Sequence, residues 1–264
     1  MVLYLGEKMK FDNNKYGVVV RAIGERTENL CIEAIRKYTE PFIIKNVHPH
    51  LRANLTMYEI MLNNPRKWWL SVDADVVLKK DWASKMEELV KDCEDILSSI
   101  PKEYEFILDK IHNRGCRTYN GKLIKYCYNN VKLNYDKVVN NLFPEDAARR
   151  LMNSKFNNTT VKKHVVIGWH GCEQYYTHIY NAYIRYAIRT KGDKNERNLT
   201  RNWKPKNINN KDREIALKGW NDGWNNPNLI KIKDFTKYIK ITPEKSFCNM
   251  SLDEFYELYN SFIQ

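Results

Sequence analysis

The chain has 264 residues, 43% of them hydrophobic and 29% charged, which excludes a disordered or fibrous chain and allows one large or two small domains with a real core. Against 32 Asp and Glu stand 44 Lys and Arg, a formal charge of +12; this suits polyanionic partners such as nucleic acid, an anionic membrane face or a phosphorylated substrate, although basic charge also simply keeps proteins apart. No apolar run approaches the roughly 20 residues of a membrane helix, the first residues lack a signal-peptide core, and six scattered Cys form no C-x-x-C pair, so a soluble, cytoplasmic protein with reduced thiols is expected, in a host cytoplasm if the chain is viral.

Tyr16 to Ile23 (YGVVVRAI) is β-branched and bounded by Lys15 and Gly24, which predicts a buried strand. The turn Gly24-Glu25-Arg26-Thr27 leads into a helix, with Thr27 as N-cap and Leu30, Cys31, Ala34 and Ile35 as its apolar stripe. Pro41 precedes a short strand, Phe42 to Ile44; a helix is expected from Arg52 to Leu62 and a strand from Trp68 to Val72. Strand, helix, strand, helix, strand predicts an α/β fold built on a mostly parallel sheet, whose ligands lie beyond the carboxyl ends of the strands.

Farther on, the spacing predicts an amphipathic helix over Asp81 to Ser99 and a helix around Tyr104 to Ile111. A hairpin-like stretch is expected from Cys116 to Cys127, turning at Asn120-Gly121, and a short helix near Glu145 to Met152. Val165 to Trp169 is an apolar strand ending at His170-Gly171, and a long helix follows over Glu173 to Arg189. Lys191 to Lys211 is basic and polar, a loop by composition. A strand is expected at Leu229 to Ile232. The last helix, from Leu252 to Phe262, opens with Ser251 and Glu254 spaced as a capping box.

The densest chemical signal lies in WWLSVDADVVL. In an extended segment Asp73 and Asp75 share a face, and two neighbouring carboxylates repel unless a positive charge lies between them. A divalent ion answers this; oxygen ligands favour Mg2+ or Mn2+, which also hold phosphates. A solvated strand end is the plainer alternative.

This succession of motifs resembles the GT-A-fold glycosyltransferases, especially the family-2-like group. YGVVVRAIGERT resembles the strand and loop that hold a donor nucleotide. HLRANLTMYEIMLNN with KWWLSVDADVVL resembles the helix and strand leading to a D-x-D metal site. GWHGCEQYYTHIYNAYIRYAIRTKGD resembles the later acidic motif and its helix. The resemblance implies a single GT-A-like domain over 1–264, with a nucleotide-sugar-binding half over 1–100 and an acceptor-binding half over 101–264. It implies a sugar moved from a nucleotide-diphosphate sugar to a hydroxyl acceptor, with Mn2+ or Mg2+ held by Asp73, Asp75 and His170. Arg21, Gly24, Glu25, Arg26, Arg52, Asn54 and Asp73 become donor-binding candidates. The chain departs from the family after Ile44, where Lys45-Asn46-Val47-His48 replaces an acidic pair, and at Glu173-Gln174, where the family has Glu-Asp. An amide takes no proton, so Glu173 is the first candidate base and Asp146 the reserve.

The acceptor stays open between a hydroxymethylated DNA base, of the kind some phages glycosylate, and a glycan. Two other classes share these features: a Mg-dependent nucleotidyltransferase, which also uses paired carboxylates, and a non-catalytic nucleic-acid-binding protein.

Overall fold

The computed structural model describes residues 11–106, 108, 110–113, 115–139, 160–172, 174–190, 210–231 and 250–260. The first five elements follow the expected alternation: β1 (Tyr16–Ala22), α1 (Glu28–Arg36), β2 (Phe42–Lys45), α2 (His50–Asn63) and β3 (Trp68–Asp73). Both crossovers return parallel, so β1 lies between β2 and β3, with Val19 opposite Phe42 and Arg21 opposite Asp73.

Beyond β3 the sheet turns mixed. Its other strands are β4 (Val76–Leu78), β5 (Ser98–Glu105), β6 (Lys110–His112), β7 (Cys116–Asn120) and β8 (Thr160–His170). The strand order is β2-β1-β3-β7-β5-β8-β4, with β6 paired to β5 off this path. Only Ala74 and Asp75 join β3 to β4, yet four strand pairings separate the two along the sheet. The sheet therefore curls back on itself, and the Ala74-Asp75 turn sits at the seam.

Side-chain alternation feeds two cores, one on each face. Val18, Val20, Trp68, Leu70 and Val72 pack with α1 and with α3 (Met86–Val90). Val19 and Trp69 face the other way, onto Leu51, Leu55, Met57 and Tyr58 of α2 and onto α4 (Ile124–Leu133). A short helix, α5 (Tyr135–Val139), follows α4. A third cluster joins α6 (Tyr176–Arg189) to α7 (Asn210–Asn225) through Tyr180, Ile184, Ala216 and Trp220. Gly219 and Gly223, one turn apart, bring α7 against the α6 backbone; a Cβ at either would meet the carbonyl of Tyr180 at 2.5 Å or of Ile184 at 2.7 Å. The last helix, α8 (Leu252–Tyr259), carries the expected capping box, and its Tyr256 hydroxyl donates to the Leu78 carbonyl at 2.7 Å, covering the β4 end of the sheet.

Four expected elements differ. The helix foreseen over 81–99 is a 3-10 turn (Trp82–Lys85) and the five-residue α3; Asp92, at φ 58°, takes the left-handed conformation that ends it. The helix foreseen over 104–111 is the end of β5 followed by β6. Every residue of β5 except Lys102 is buried, and a strand buried on both faces loses the alternation that distinguishes it from a helix. The hairpin foreseen over 116–127 has its first arm, β7, but Gly121 then opens a 3-10 turn into α4. That glycine serves a close approach to the Arg66 and Lys67 carbonyls, not a hairpin turn. The strand foreseen at 229–232 is a 3-10 helix, Pro227–Lys231. The helix near 145–152 and most of the 191–211 segment lie outside the described residues.

Candidate functional site

The Asp73-Ala74-Asp75 turn is the best-anchored piece of backbone at the seam. Asp73 N donates to the Gly115 carbonyl at 3.1 Å, Ala74 N to the Arg21 carbonyl at 2.9 Å, and Gly171 N to the Asp75 carbonyl at 3.0 Å. Thr27, foreseen as a helix cap, makes no capping bond; its buried hydroxyl donates to the Ala74 carbonyl at 3.0 Å. The end of β1, the start of α1, the approach to β7 and the end of β8 are thus all fastened to three residues. Because Asp75 lies in a turn, strand alternation does not set its direction, contrary to the expectation for an extended segment. Anchoring from four sides does.

Both carboxylates reach solvent, Asp73 at 33% and Asp75 at 20% side-chain exposure, while Ala74 between them is buried. Asp73 Oδ1 accepts from Arg21 Nη2 at 2.6 Å, and Arg21 Nη1 donates to Asn54 Oδ1 at 2.6 Å. His50, at the start of the same helix as Asn54, stands 3.4 Å from the same guanidinium. Arg52 is two residues from Asn54, about 200° around the helix, and it is exposed; the structure does not bring it to Arg21.

Asp75 belongs to a second group. Its Oδ2 lies 3.3 Å from His170 Nε2 and accepts from Gln174 Nε2 at 3.1 Å. His170 Nδ1 is 2.5 Å from Glu105 Oε2. Burial alone would push this imidazole down, but the Asp75 and Glu105 carboxylates on either side outweigh it and hold it well above its ordinary value. His178 also feels Asp75, yet burial dominates there and its pKa is lowered.

Glu25 completes the ring of acids. Burial, and then the charges of Asp75 and Asp73, push its carboxyl up to about 7, against the pull of its bonds to backbone N–H groups, of which Ile23 N lies at 2.7 Å. Gly24 beside it has φ +89°, a conformation that side chains resist, and a Cβ there would meet nothing within 4 Å. Arg26 is half-buried in the same turn. The site is therefore open on the β1 side.

The donor set fits a divalent cation. His170 Nε2 and Asp75 Oδ2 are 3.3 Å apart, near the roughly 3 Å between adjacent ligands of a six-coordinate ion with bonds of about 2.1 Å. Among the described residues no three His, Cys, Asp or Glu side chains form a ready-made cage; Mg2+-type sites commonly take one or two protein ligands and fill the rest with water and substrate phosphate. Glu105 is not singled out by the sequence, because it lies in the 104–111 segment expected to be helical and found to be the end of β5 followed by β6. Glu173 and Asp146, the foreseen bases, lie outside the described residues. Trp169, at the end of the expected apolar strand, is fully buried against Phe255 and Tyr256 and is a core residue.

No family model matches the chain, and no curated protein sequence matches it. Among solved structures, a glycosyltransferase involved in the glycosylation of the major capsid of PBCV-1 aligns with 57% of this chain and 82% of its own, at 12% identity and a TM-score of 0.41. A CMP:2-keto-3-deoxy-manno-octonic acid synthetase complexed with CTP aligns with 67% of this chain and 99% of its own, at 11% identity and a TM-score of 0.39. TarS 1-349 of S. aureus aligns with 95% of this chain and 80% of its own, at 12% identity and a TM-score of 0.37. At TM-scores this low the likeness carries no weight for function, and the geometry of the chain's own residues has to. No described helix is long and apolar enough to cross a membrane.

Proposed function

We propose that the chain is a divalent-cation-dependent glycosyltransferase that moves a sugar from a nucleotide-diphosphate sugar to a hydroxyl acceptor. The supporting observation is the pinned Asp73-Ala74-Asp75 turn, which presents two part-exposed carboxylates beside Glu25 at the carboxyl ends of β1 and β3. Four acids (Glu25, Asp73, Asp75 and Glu105) meet two positive partners (Arg21 and His170) here. Burial first, and then this excess of negative charge, raises the Glu25 carboxyl. A cation bound by Asp75, His170 and Asp73 would relieve it and, when present, would stabilise the charge gathering on the leaving diphosphate.

The protein's own groups take the remaining tasks. Arg21 orients Asp73 and, with Asn54 and the open Gly24 turn, borders the donor. The acceptor oxygen forms a bond to the anomeric carbon as the bond to the diphosphate oxygen breaks, and the diphosphate leaves with the electron pair. The acceptor proton goes to a carboxylate, Glu173 first and Asp146 in reserve. The +12 charge favours an acceptor carried on a polyanion; a hydroxymethylated DNA base or an anionic glycan meets that condition.

A thermal-shift series with UDP-, GDP- and dTDP-sugars, each with and without Mn2+, tests the donor reading. A ligand of the native state raises apparent stability by mass action. At least one sugar nucleotide should raise the melting midpoint in Mn2+ and lose most of that effect in chelator. Indifference to every donor would overturn the reading, and a response to free nucleoside triphosphates alone would favour nucleotidyl transfer.

A further inference from the structure

Glu105 belongs to none of the motifs that mark the site, yet it is 1% exposed at the end of β5. Burying a carboxylate is costly unless it is hydrogen-bonded or paired. Its Oε2 lies 2.5 Å from His170 Nδ1, while Nε2 of the same ring faces Asp75 Oδ2 at 3.3 Å. The backbone enforces this alignment. β5 and β8 run parallel with Glu105 and His170 in register, and Phe106 N donates to the His170 carbonyl at 3.0 Å. Two glycines make the room. A Cβ at Gly171 would stand 3.3 Å from Glu105 Oε1, and one at Gly115 would stand 2.9 Å from His170 Cδ2. The imidazole is thus boxed by backbone, with a fixed acid behind it and Asp75 in front.

We propose that Glu105 is a positioning residue for the cation site: it accepts the Nδ1–H of His170, fixes the ring's orientation and tautomer, and leaves Nε2 as the ligating nitrogen beside Asp75. This rests on the cation reading of the site. A carboxylate behind a ligating imidazole raises its basicity and holds its aim, and removing such a partner typically costs about 10–100-fold in metal affinity.

The test is a Mn2+ titration of the full chain, with free Mn2+ followed by its electron paramagnetic resonance signal, for wild type, Glu105→Gln, Glu105→Leu and Asp75→Ala. Asp75→Ala should abolish binding. Glu105→Leu should weaken it by about 10–100-fold, and Glu105→Gln, whose side-chain oxygen still accepts the Nδ1–H, by less. A leucine variant that folds and binds within about twofold of wild type overturns the proposal. Where the leucine variant fails to fold, the position of the His170 ring proton in the wild type decides the matter. In the Mg2+-loaded wild type, the His170 nitrogen spectrum should place the ring proton on Nδ1; a proton on Nε2 overturns it as well. A wild type that binds no Mn2+, or binds it equally after Asp75→Ala, defeats the cation reading itself, whereas wild-type binding with unaffected Glu105 variants defeats the Glu105 role alone.

Discussion

Arg21 Nη2 donates to Asp73 Oδ1 at 2.6 Å, and its Nη1 donates to Asn54 Oδ1 at the same distance. One planar guanidinium therefore links β1, β3 and α2 around the place where a donor would lie. Lysine offers no such fork. Arg21→Lys should weaken Mn2+-dependent binding of the sugar nucleotide by about tenfold, the lower range for a charge-assisted bond because both partners are part-exposed. Equilibrium titration of the donor against both proteins measures it.

Thr27 is buried and holds the Ala74 carbonyl from the start of α1. Thr27→Val keeps the shape but leaves that buried carbonyl without its hydroxyl donor, and should cost about 1–3 kcal/mol of stability. Urea denaturation reads the loss directly. Donor affinity should fall with it, since the same bond holds the backbone between Asp73 and Asp75.

Glu25 gives the site a pH dependence of known sign. Its folded pKa, about 7, lies above its ordinary 4.5. The folded protein therefore binds this proton more tightly than the unfolded chain, and stability falls as pH rises from about 4.5 to about 7. Glu25→Gln should remove that part of the decline in a series of melting midpoints across the window. A slope equal to wild type in the glutamine variant would contradict the assignment.

If the acceptor is a base in DNA, the excess of 44 Lys and Arg over 32 Asp and Glu makes phosphate contacts the main source of affinity. The logarithm of the DNA affinity should then fall linearly with the logarithm of salt concentration. Fluorescence anisotropy with a duplex of mixed sequence reads the slope. No measurable binding at low salt discards DNA and leaves the glycan.

The N-terminal half was legible because its signals are local. YGVVVRAI and KWWLSV are apolar runs of strand length between breakers, and the helices between them carry clear apolar stripes, so β1, β2 and β3 and their parallel pairing could be read. Asp73, Asp75 and His170 were visible for the same reason, each standing at the end of an apolar run. Glu105 was not. It lies in KEYEFILD, where burial on both faces erases the period-two pattern, and its meaning depends on a non-local pairing with β8. Gly115, Gly171 and Thr27 were also opaque, since their roles are contacts with residues far along the chain. The α7 helix, with its Trp- and Asn-rich sequence, is held by a two-glycine seam against α6 that only tertiary packing reveals.

The most direct measurement is calorimetric titration of a sugar nucleotide into wild type and Asp75→Asn, each with Mn2+ and with chelator. Asparagine keeps the size of the side chain and removes its charge. Mn2+ should tighten donor binding in wild type and have almost no effect in Asp75→Asn, with the variant's melting midpoint in chelator close to wild type. Equal Mn2+ enhancement in the two proteins would contradict a cation held at Asp75.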